Sequence, residues 1–294
     1  MLTGIHVVMI GGDARQLEII RKLSTLDAKI SLVGFTQLDD GFIGASKQDL
    51  DEVMWESVDA ILLPIGGMST EGTINSVFSN KTLALEANHL KATPDHCTIY
   101  TGIANDRLKR MAEQANCDTV LLMERDDVAI YNSIPTAEGA VMLAIQHTDI
   151  TIHQAKIAVL GLGRVGMTVA RTFQALGAKV KVGARDSHLL ARITEMGLTP
   201  FHTDDTKKEL TDVDLCINTI PAKVLTSSVL AEMQQHAFIL DLASKPGGVD
   251  FAYSEKRGLK AMLVPGLPGM VAPKTAGKIL ANVLADLLLE QAQP

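Results

Sequence analysis

The clearest chemical pattern in the sequence is a run of three spaced glycines, Gly161-Leu162-Gly163-Arg164-Val165-Gly166. In such a run the first glycine permits a tight turn after a strand, the second lets backbone N–H groups approach a pyrophosphate, and the third allows a helix to pack closely on the strand. The run follows a β-branched strand and opens an apolar helix, whose N-terminus favours phosphates. The sequence therefore predicts that these six residues bind a dinucleotide cofactor. The alternative is that the glycines serve only a turn.

The residues after the next predicted strand bear on which dinucleotide is bound. An acidic residue ~20 residues past the motif usually accepts the ribose 2′-hydroxyl of NAD. Here Arg185 occupies or neighbours that place, and a guanidinium suits the 2′-phosphate of NADP, with Ser187 as a further donor. Asp186 either caps the following helix or binds a hydroxyl, and we favour capping. The sequence predicts NADP, with NAD as the alternative.

A third group of candidate cofactor residues ends the predicted strand 215–218. Thr219, Ile220 and Pro221 follow this strand, where loops of such domains pass over the cofactor riboses. We expect them to line the cofactor. The alternative is an ordinary strand end, with a proline as turn former.

Candidate substrate-binding residues lie in the first half of the chain. Gly67, Ser69 and Thr70 belong to a glycine-rich loop after the third predicted strand, where free N–H groups and hydroxyls predict an anion nest. A plain flexible turn is the alternative. Arg15 falls in the first turn of a predicted helix and could receive a small carboxylate, although helix capping by Asp13 explains this segment equally well.

These residues must be held by an alternation of short apolar runs and helical patterns. The alternation predicts an α/β protein with two doubly wound, Rossmann-like domains, whose parallel sheets flank a cleft and are joined by a linker helix. The predicted strands are 6–10, 30–35, 60–64, 97–100, 119–123, 156–160, 179–182, 215–218, 238–242 and 261–264.

The predicted domain boundaries follow from this pattern. Residues 1–133 form the substrate-side domain, residues 150–273 form the NADP-binding domain, and residues 134–149 form the linker helix, which opens near Pro135. A helix at 274–294 carries an apolar stripe that we expect to pack on the first domain, with dimerisation as the alternative use.

Composition excludes several classes of partner. The chain has 294 residues, a formal net charge of −7 and no basic run, so we expect a small-molecule partner and no nucleic acid. Its three cysteines form no CxxC pattern and its histidines share no metal-ligand spacing, so we expect no disulfide and no metal. The N-terminal apolar run is too short to span a bilayer, so we expect a cytoplasmic protein without membrane contact. Association into a homo-oligomer stays open.

Two segments resemble the formate and D-2-hydroxyacid dehydrogenases, in which two Rossmann-like lobes flank a cleft crossed by a helix. In ILDLASKPGGVD, at 239–250, Lys245 stands where that family has its substrate-binding arginine. In PKTAG, at 273–277, Lys274 replaces the catalytic histidine. The resemblance implies an oxidoreductase that does not perform ordinary 2-hydroxyacid oxidation, with Lys245 and Lys274 as candidate catalytic residues.

Almost the whole chain resembles the A-subunit family of the dipicolinate synthases of spore-forming bacteria. The segments that carry the resemblance are VVMIGGDARQ, NSIPTAEGA, GLGRVG and PGLPGMVAPKTAG. The resemblance implies a cytoplasmic mother-cell enzyme of sporulation that oxidises a dihydrodipicolinate-type intermediate to dipicolinate, with NADP as oxidant. It further implies a small dicarboxylate substrate and, as partner, a flavoprotein-like B subunit.

Such an oxidation removes one hydride and one proton from a ring that carries two carboxylates. Lys274 is our candidate for the proton acceptor, provided that it is desolvated. Lys245, or Ser69 with Thr70, is our candidate for pairing with the carboxylates. By default, each lysine is a surface charge.

Two other functions stay open at the level of sequence. The chain is either the catalyst or a cofactor-binding or assembly subunit whose partner performs the chemistry. A shikimate-dehydrogenase-like or methylene-tetrahydrofolate-dehydrogenase-like enzyme is a third hypothesis, suggested by Asn218, Thr219 and Arg185.

Overall fold

A computed structural model describes residues 1–39 and 41–292. The chain divides into two compact units, which are Met1–Tyr131 together with the segment that begins at Ala272, and Asn132–Val271. The strands are β1 His6–Ile10, β2 Lys29–Val33, β3 Ala45–Gln48, β4 Ala60–Leu62, β5 Thr73–Ile74, β6 Leu83–Ala84, β7 Thr98–Thr101, β8 Asp118–Leu121, β9 Lys156–Leu160, β10 Lys179–Ala184, β11 Thr199–His202, β12 Leu215–Asn218, β13 Phe238–Asp241 and β14 Lys260–Leu263. The helices are α1 Arg15–Thr25, α2 Ala87–Lys91, α3 Asp106–Ala115, α4 Asp126–His147, α5 Arg164–Ala175, α6 Ser187–Glu195, α7 Thr206–Glu209, α8 Ser227–Leu230, α9 Phe251–Arg257, α10 Leu267–Val271 and α11 Pro273–Gln291.

Each unit is built on a six-stranded parallel sheet. The strand order is β3-β2-β1-β4-β7-β8 in the first unit and β11-β10-β9-β12-β13-β14 in the second. Both orders are that of the doubly wound dinucleotide-binding fold, in which the order reverses beside the first strand of the unit. The predicted fold class, with two Rossmann-like parallel sheets, is confirmed.

The predicted strands all occur, with ends shifted by one or two residues where they differ. The edge strands β3 and β11 and the short antiparallel pair β5–β6 were not predicted from the sequence. Strand β3 reads Ala-Ser-Lys-Gln and β11 reads Thr-Pro-Phe-His, so neither has the apolar run by which the buried strands were found. Edge strands tolerate such residues because one side of the strand needs no partner.

Both faces of each sheet are covered, which is why the central strands are apolar without interruption. In β1, Val7 and Met9 lie in one buried cluster, whereas Val8 and Ile10 lie in another on the opposite face. Strand β9 divides its side chains between two clusters in the same way. All five residues of β1 and the last four of β9 are buried, which fixes the position of the loops that follow them.

Helix α4 differs from the predicted linker helix at its start. It begins at Asp126, not near Pro135, and Pro135 lies inside the helix. An internal proline costs roughly 3 kcal/mol because a backbone hydrogen bond is lost. Acidic residues in the first turn and burial of Ala137, Ala140 and Ala144 in the second unit's core stabilise α4 despite this cost. By length and composition α4 could cross a membrane, but half of its apolar window is buried inside the protein, as in a core helix.

Helix α11 closes the first unit. Its stripe residues Leu280, Leu284 and Leu288 lie in the same buried cluster as side chains of α1. Gly277 permits this approach, since a Cβ there would lie 2.6 Å from the carbonyl oxygen of Arg15. The last two residues of the predicted helix, 293 and 294, lie outside the described residues.

Candidate cofactor-binding site

The glycine run forms the turn between β9 and α5, and two of its glycines are required by that turn. Gly161 has φ +96°, and a Cβ there would lie 2.6 Å from Thr219 Oγ1. A Cβ on Gly166 would clash with the carbonyl oxygen of Gly161. The first and third glycines therefore let the helix start directly against the end of the strand.

Gly163 has a different environment. It is exposed at the N-terminal end of α5 and has φ −84°. Apart from its two chain neighbours, no described residue would lie within 4 Å of a Cβ there. The protein's own packing therefore does not require a glycine at this position. No side chain caps the helix here, so the first N–H groups of α5 are available to a ligand. An open space in front of a helix N-terminus fits the close approach of a pyrophosphate.

The other three residues of the run divide by exposure. The side chain of Leu162 is buried in the core of the second unit, and Val165 packs against that core. Only their backbones can serve a cofactor. Arg164 is exposed as the first residue of α5.

Thr219 braces this turn from the neighbouring strand. Its backbone N–H and its hydroxyl both donate to the carbonyl oxygen of Leu160, at 2.9 and 2.8 Å. The hydroxyl is thus committed to the end of β9. Ile220 borders the turn, since its Cγ1 would lie 3.0 Å from a Cβ on Gly161, and Pro221 is exposed beyond it. Contact of these residues with a cofactor stays a prediction.

Arg185 follows β10 beside the glycine turn, where the Gly161 N–H donates to the carbonyl oxygen of Gly183. Arg185 is exposed and makes no hydrogen bond or ion pair with any residue that the structure describes. Asp186 stands at the N-cap of α6, but its side chain makes no capping hydrogen bond, so the predicted capping role is wrong. The Asp186 backbone carbonyl accepts hydrogen bonds in the first turn instead, and Ser187 is the exposed first residue of α6.

In the first unit, the turn between β1 and α1 corresponds to this glycine turn and is occupied by the protein's own side chains. Arg15 donates from Nε and Nη2 to both carboxylate oxygens of Asp13, at 2.9 and 2.6 Å. Burial would raise the pKa of Asp13, but the hydrogen bonds from Arg15 outweigh burial and lower it. Gln16 Oε1 accepts the Asp13 N–H and packs against Gly12. Arg15 is therefore not a free counter-ion for a substrate carboxylate, because its guanidinium already forms a bidentate pair with the Asp13 carboxylate.

The glycine-rich loop after β4, which was predicted as an anion nest, uses its hydroxyls and part of its N–H groups internally. The N–H of Gly67 donates to Pro64 O, and the N–H of Ser69 donates to Thr73 O, both at 2.8 Å. The Ser69 hydroxyl pairs with that of Thr73 at 2.7 Å, and Thr70 Oγ1 donates to Glu71 at 2.7 Å. The Thr70 hydrogen bond is the largest cause that holds the pKa of Glu71 below its ordinary value. Both hydroxyls are thus committed within the loop, and the exposed Glu71 adds a negative charge there. Anion binding by this loop stays a prediction.

Lys245 and Lys274 stand in different settings. Lys245 lies in the exposed loop that follows β13, and Lys274 is the second residue of α11. Both are exposed, and neither makes an ion pair within the described part of the chain. The desolvation that a proton-accepting Lys274 requires is absent from this structure.

Two polar residues that were not among the predicted site residues lie beside the turn. Asn218 and Asp241 end β12 and β13, and both side chains are fully buried. The signal in the sequence that could have identified them is a polar residue at the end of an otherwise apolar strand. Among the described residues no group of three or more His, Cys, Asp or Glu side chains could hold a metal ion.

Comparison with known proteins places this geometry in a family. The family of dipicolinate synthase A-subunit N-terminal domains matches residues 6–123, and the family described as "Alanine dehydrogenase/PNT, C-terminal domain" matches residues 132–293. The chain is 61% identical over 290 residues to the dipicolinate synthase A-subunit of Bacillus subtilis (strain 168), which covers 99% of this chain and 98% of that protein. The chain therefore belongs to the dipicolinate synthase A-subunit family.

Solved structures agree with this assignment. The crystal structure of the dipicolinate synthase A-subunit from Bacillus halodurans superposes with a TM-score of 0.98 at 66% identity, over 100% of both chains. A transhydrogenase from Sinorhizobium meliloti superposes with a TM-score of 0.68 at 17% identity, over 97% of this chain and 96% of that one. The second likeness shows a shared fold only.

Proposed function

Because the chain belongs to the dipicolinate synthase A-subunit family, we propose that it is an NADP-dependent oxidoreductase that oxidises a dihydrodipicolinate-type intermediate to dipicolinate. The observation that carries the proposal is the open cradle at Gly163 in a domain of the alanine dehydrogenase/PNT family, together with Arg185, which has no partner among the described residues. The family assignment replaces the shikimate-dehydrogenase-like alternative. The cellular setting of the proposal is the cytoplasm of the mother cell during sporulation.

NADP, when bound, supplies a hydride acceptor, and the substrate ring loses that hydride and one proton as it becomes aromatic. The residues of this chain hold the reactants. The N–H groups at the start of α5 receive the pyrophosphate, and Thr219 keeps this turn in place through Leu160. Arg185 pairs with the 2′-phosphate, with Ser187 as a further donor.

The substrate side of the proposal rests on the two uncommitted lysines. Lys245 is a cation without a partner in the described chain, at the carboxyl edge of the second sheet, and it pairs with a substrate carboxylate. Lys274 accepts the proton only when bound substrate or a partner subunit desolvates it, since it is exposed here. Ser69, Thr70 and Arg15 are weaker candidates, because their polar groups are satisfied within the first unit.

Dinucleotide selectivity is tested by titrating NADP and NAD into wild type and Arg185→Ala in a calorimeter. Loss of one charge-assisted pair predicts about tenfold or greater weakening of NADP, with less than a twofold change for NAD. Arg192→Ala is the matched control, because Arg192 lies in the same helix region but pairs with Glu195 at 2.8 Å. Equal affinity of wild type and Arg185→Ala for NADP would remove Arg185 from the site.

A non-catalytic role is the second candidate, and the exposure of Lys245 and Lys274 favours it. In that case a B subunit performs the chemistry and this chain binds the cofactor or organises the assembly. The relatives carry the name of one subunit of a synthase, which supports the existence of such a partner. NADPH and dipicolinate formation measured with and without the partner distinguishes the two functions, since turnover by this chain alone excludes the second. Unchanged turnover of Lys274→Ala in the complete enzyme would exclude Lys274 as the proton acceptor.

A further inference from the structure

Two fully buried polar side chains face each other at the carboxyl edge of the second sheet. Asn218 and Asp241 are paired residues in the register of β12 and β13, and each has 0% of its surface exposed. Asn218 Nδ2 donates to Asp241 Oδ1 at 2.9 Å. Buried polar groups of this kind persist only where hydrogen bonds satisfy them, so their partners indicate what they do.

The other side-chain hydrogen bonds that the described residues make with the pair come from the backbone of two loops. Asn218 Nδ2 donates to the carbonyl oxygen of Ile220 at 3.0 Å, and Asn218 Oδ1 accepts the Ile220 N–H at 3.1 Å. Asp241 Oδ1 accepts the N–H of Ala243 at 3.1 Å, and Asp241 Oδ2 accepts the N–H of Gly248 at 2.6 Å. One pair of side chains therefore fixes the loops that follow β12 and β13.

The second loop closes directly onto the pair through two glycines. Gly247 has φ +87°, and a Cβ there would lie 2.6 Å from Asp241 Oδ2. A Cβ on Gly248 would clash with Asn218 Nδ2. The carbonyl oxygen of Gly248 in turn accepts the N–H groups of Val224 and Leu225, at 3.1 and 2.9 Å. The two loops and the pair form one hydrogen-bonded network.

The position of this network relates it to the cofactor site. Asn218 is the register partner of Leu160, the last residue before the glycine turn, so the pair lies next to the point where the strand order reverses. In this fold each half of a dinucleotide lies over one half of the sheet, and the adenosine half takes the side of the strand that carries the glycines. The loops held by Asn218 and Asp241 lie over the other half.

We infer that Asn218 and Asp241 are positioning residues, which hold the 219–221 and 243–248 loops as a preformed floor for the nicotinamide half of the cofactor. They do not touch the cofactor, because they are fully buried beneath those loops. The inference rests on the proposed function for the identity of the ligand. The hydrogen-bonded network itself does not depend on it.

Asp241→Asn tests the inference. It keeps the shape of the side chain but replaces one carboxylate oxygen by an NH₂ group, which then faces an N–H donor of Asn218, Ala243 or Gly248 instead of accepting from it. We expect amide hydrogen exchange in the 219–221 and 243–248 loops to accelerate at least tenfold. We also expect NADP to bind at least tenfold more weakly, while adenosine 2′,5′-bisphosphate, which represents the adenosine half, binds within twofold of wild type. Ser254→Ala is the matched control, since it removes a different buried hydrogen bond of the second unit, from Ser254 Oγ to Leu259 O. It should alter neither loop exchange nor affinity for either ligand.

Asn218→Ala gives a second, local readout if Asp241→Asn does not fold. It removes the hydrogen bonds to Ile220, whereas the N–H groups of Ala243 and Gly248 still donate to Asp241. Amide hydrogen exchange should therefore accelerate mainly in the 219–221 loop. Unchanged loop exchange, equal weakening of NADP and the bisphosphate, or faster exchange with unchanged NADP affinity would each overturn the inference. Failure of wild type to bind NADP or NAD would overturn the proposed function and the cofactor role of the pair, whereas loop exchange would still decide whether the pair holds the loops.

Discussion

Alanine substitution at two glycines of one turn should separate cofactor binding from folding. In Gly163→Ala the new methyl group enters open space, since no described residue other than its two chain neighbours lies within 4 Å, and φ −84° suits alanine. Replacing glycine by alanine at an N-cap costs roughly 0.5 kcal/mol, whereas the reduced entropy of the unfolded chain contributes about 0.4–1 kcal/mol. The two effects nearly cancel, so the melting temperature should change by less than about 2 °C.

In the proposed function, the same methyl group stands where the pyrophosphate approaches the N-terminus of α5. Loss of one charge-assisted hydrogen bond is worth roughly 1.5–3 kcal/mol, so Gly163→Ala should bind NADP at least about tenfold more weakly. Gly166→Ala is the contrasting variant, because its Cβ would clash with the Gly161 carbonyl oxygen and lie 3.0 Å from Thr219 Oγ1. It should lose about 1–3 kcal/mol of folding free energy or more.

Calorimetric titration with NADP and differential scanning calorimetry of wild type and both variants measure these two quantities. Wild-type affinity in Gly163→Ala would refute the placement of the pyrophosphate at this turn. A melting temperature of Gly163→Ala as low as that of Gly166→Ala would refute the argument that the space is open.

Two further predictions concern the first unit. The pKa of His6 lies below its ordinary value of 6.5, chiefly because the ring is buried and secondly because Lys29 is near, so the unfolded chain binds a proton more readily than the folded one. The free energy of unfolding should therefore decrease as the pH drops below about 6.5. Urea unfolding followed between pH 5 and 8 should show a weaker dependence of this free energy on pH in His6→Gln than in wild type. An equal pH dependence in both proteins would contradict the assignment. Leu284→Ala should lower the free energy of unfolding by about 2–5 kcal/mol, because Leu284 is 0% exposed between α11 and the sheet; a loss below ~1 kcal/mol in urea titration would show that α11 contributes little to the core.

Part of this protein could be predicted from local sequence. The buried strands were found because both faces of each sheet are covered, which leaves an uninterrupted apolar run such as His6–Ile10. The edge strand Thr199–His202 was not predicted because its own residues form no apolar run. Its strand conformation comes from pairing with β10, which depends on the tertiary fold. The start of α4 was misplaced because proline is tolerated inside a helix whose face is buried, and burial is a property of the fold.

The sequence by itself determined the two-sheet architecture and the glycine turn, because strand periodicity and the backbone freedom of glycine act over a few residues. Only the tertiary structure decided which polar groups remain available. Arg15 and Ser69 are satisfied by near neighbours in the folded chain, whereas Arg185 is left without a partner among the described residues. Asn218 and Asp241 meet although 23 residues separate them, because β12 and β13 are adjacent in register. Hydrogen-bond partners of this kind depend on distances that only the packed fold sets, and they distinguish a residue that binds a ligand from one that holds a loop.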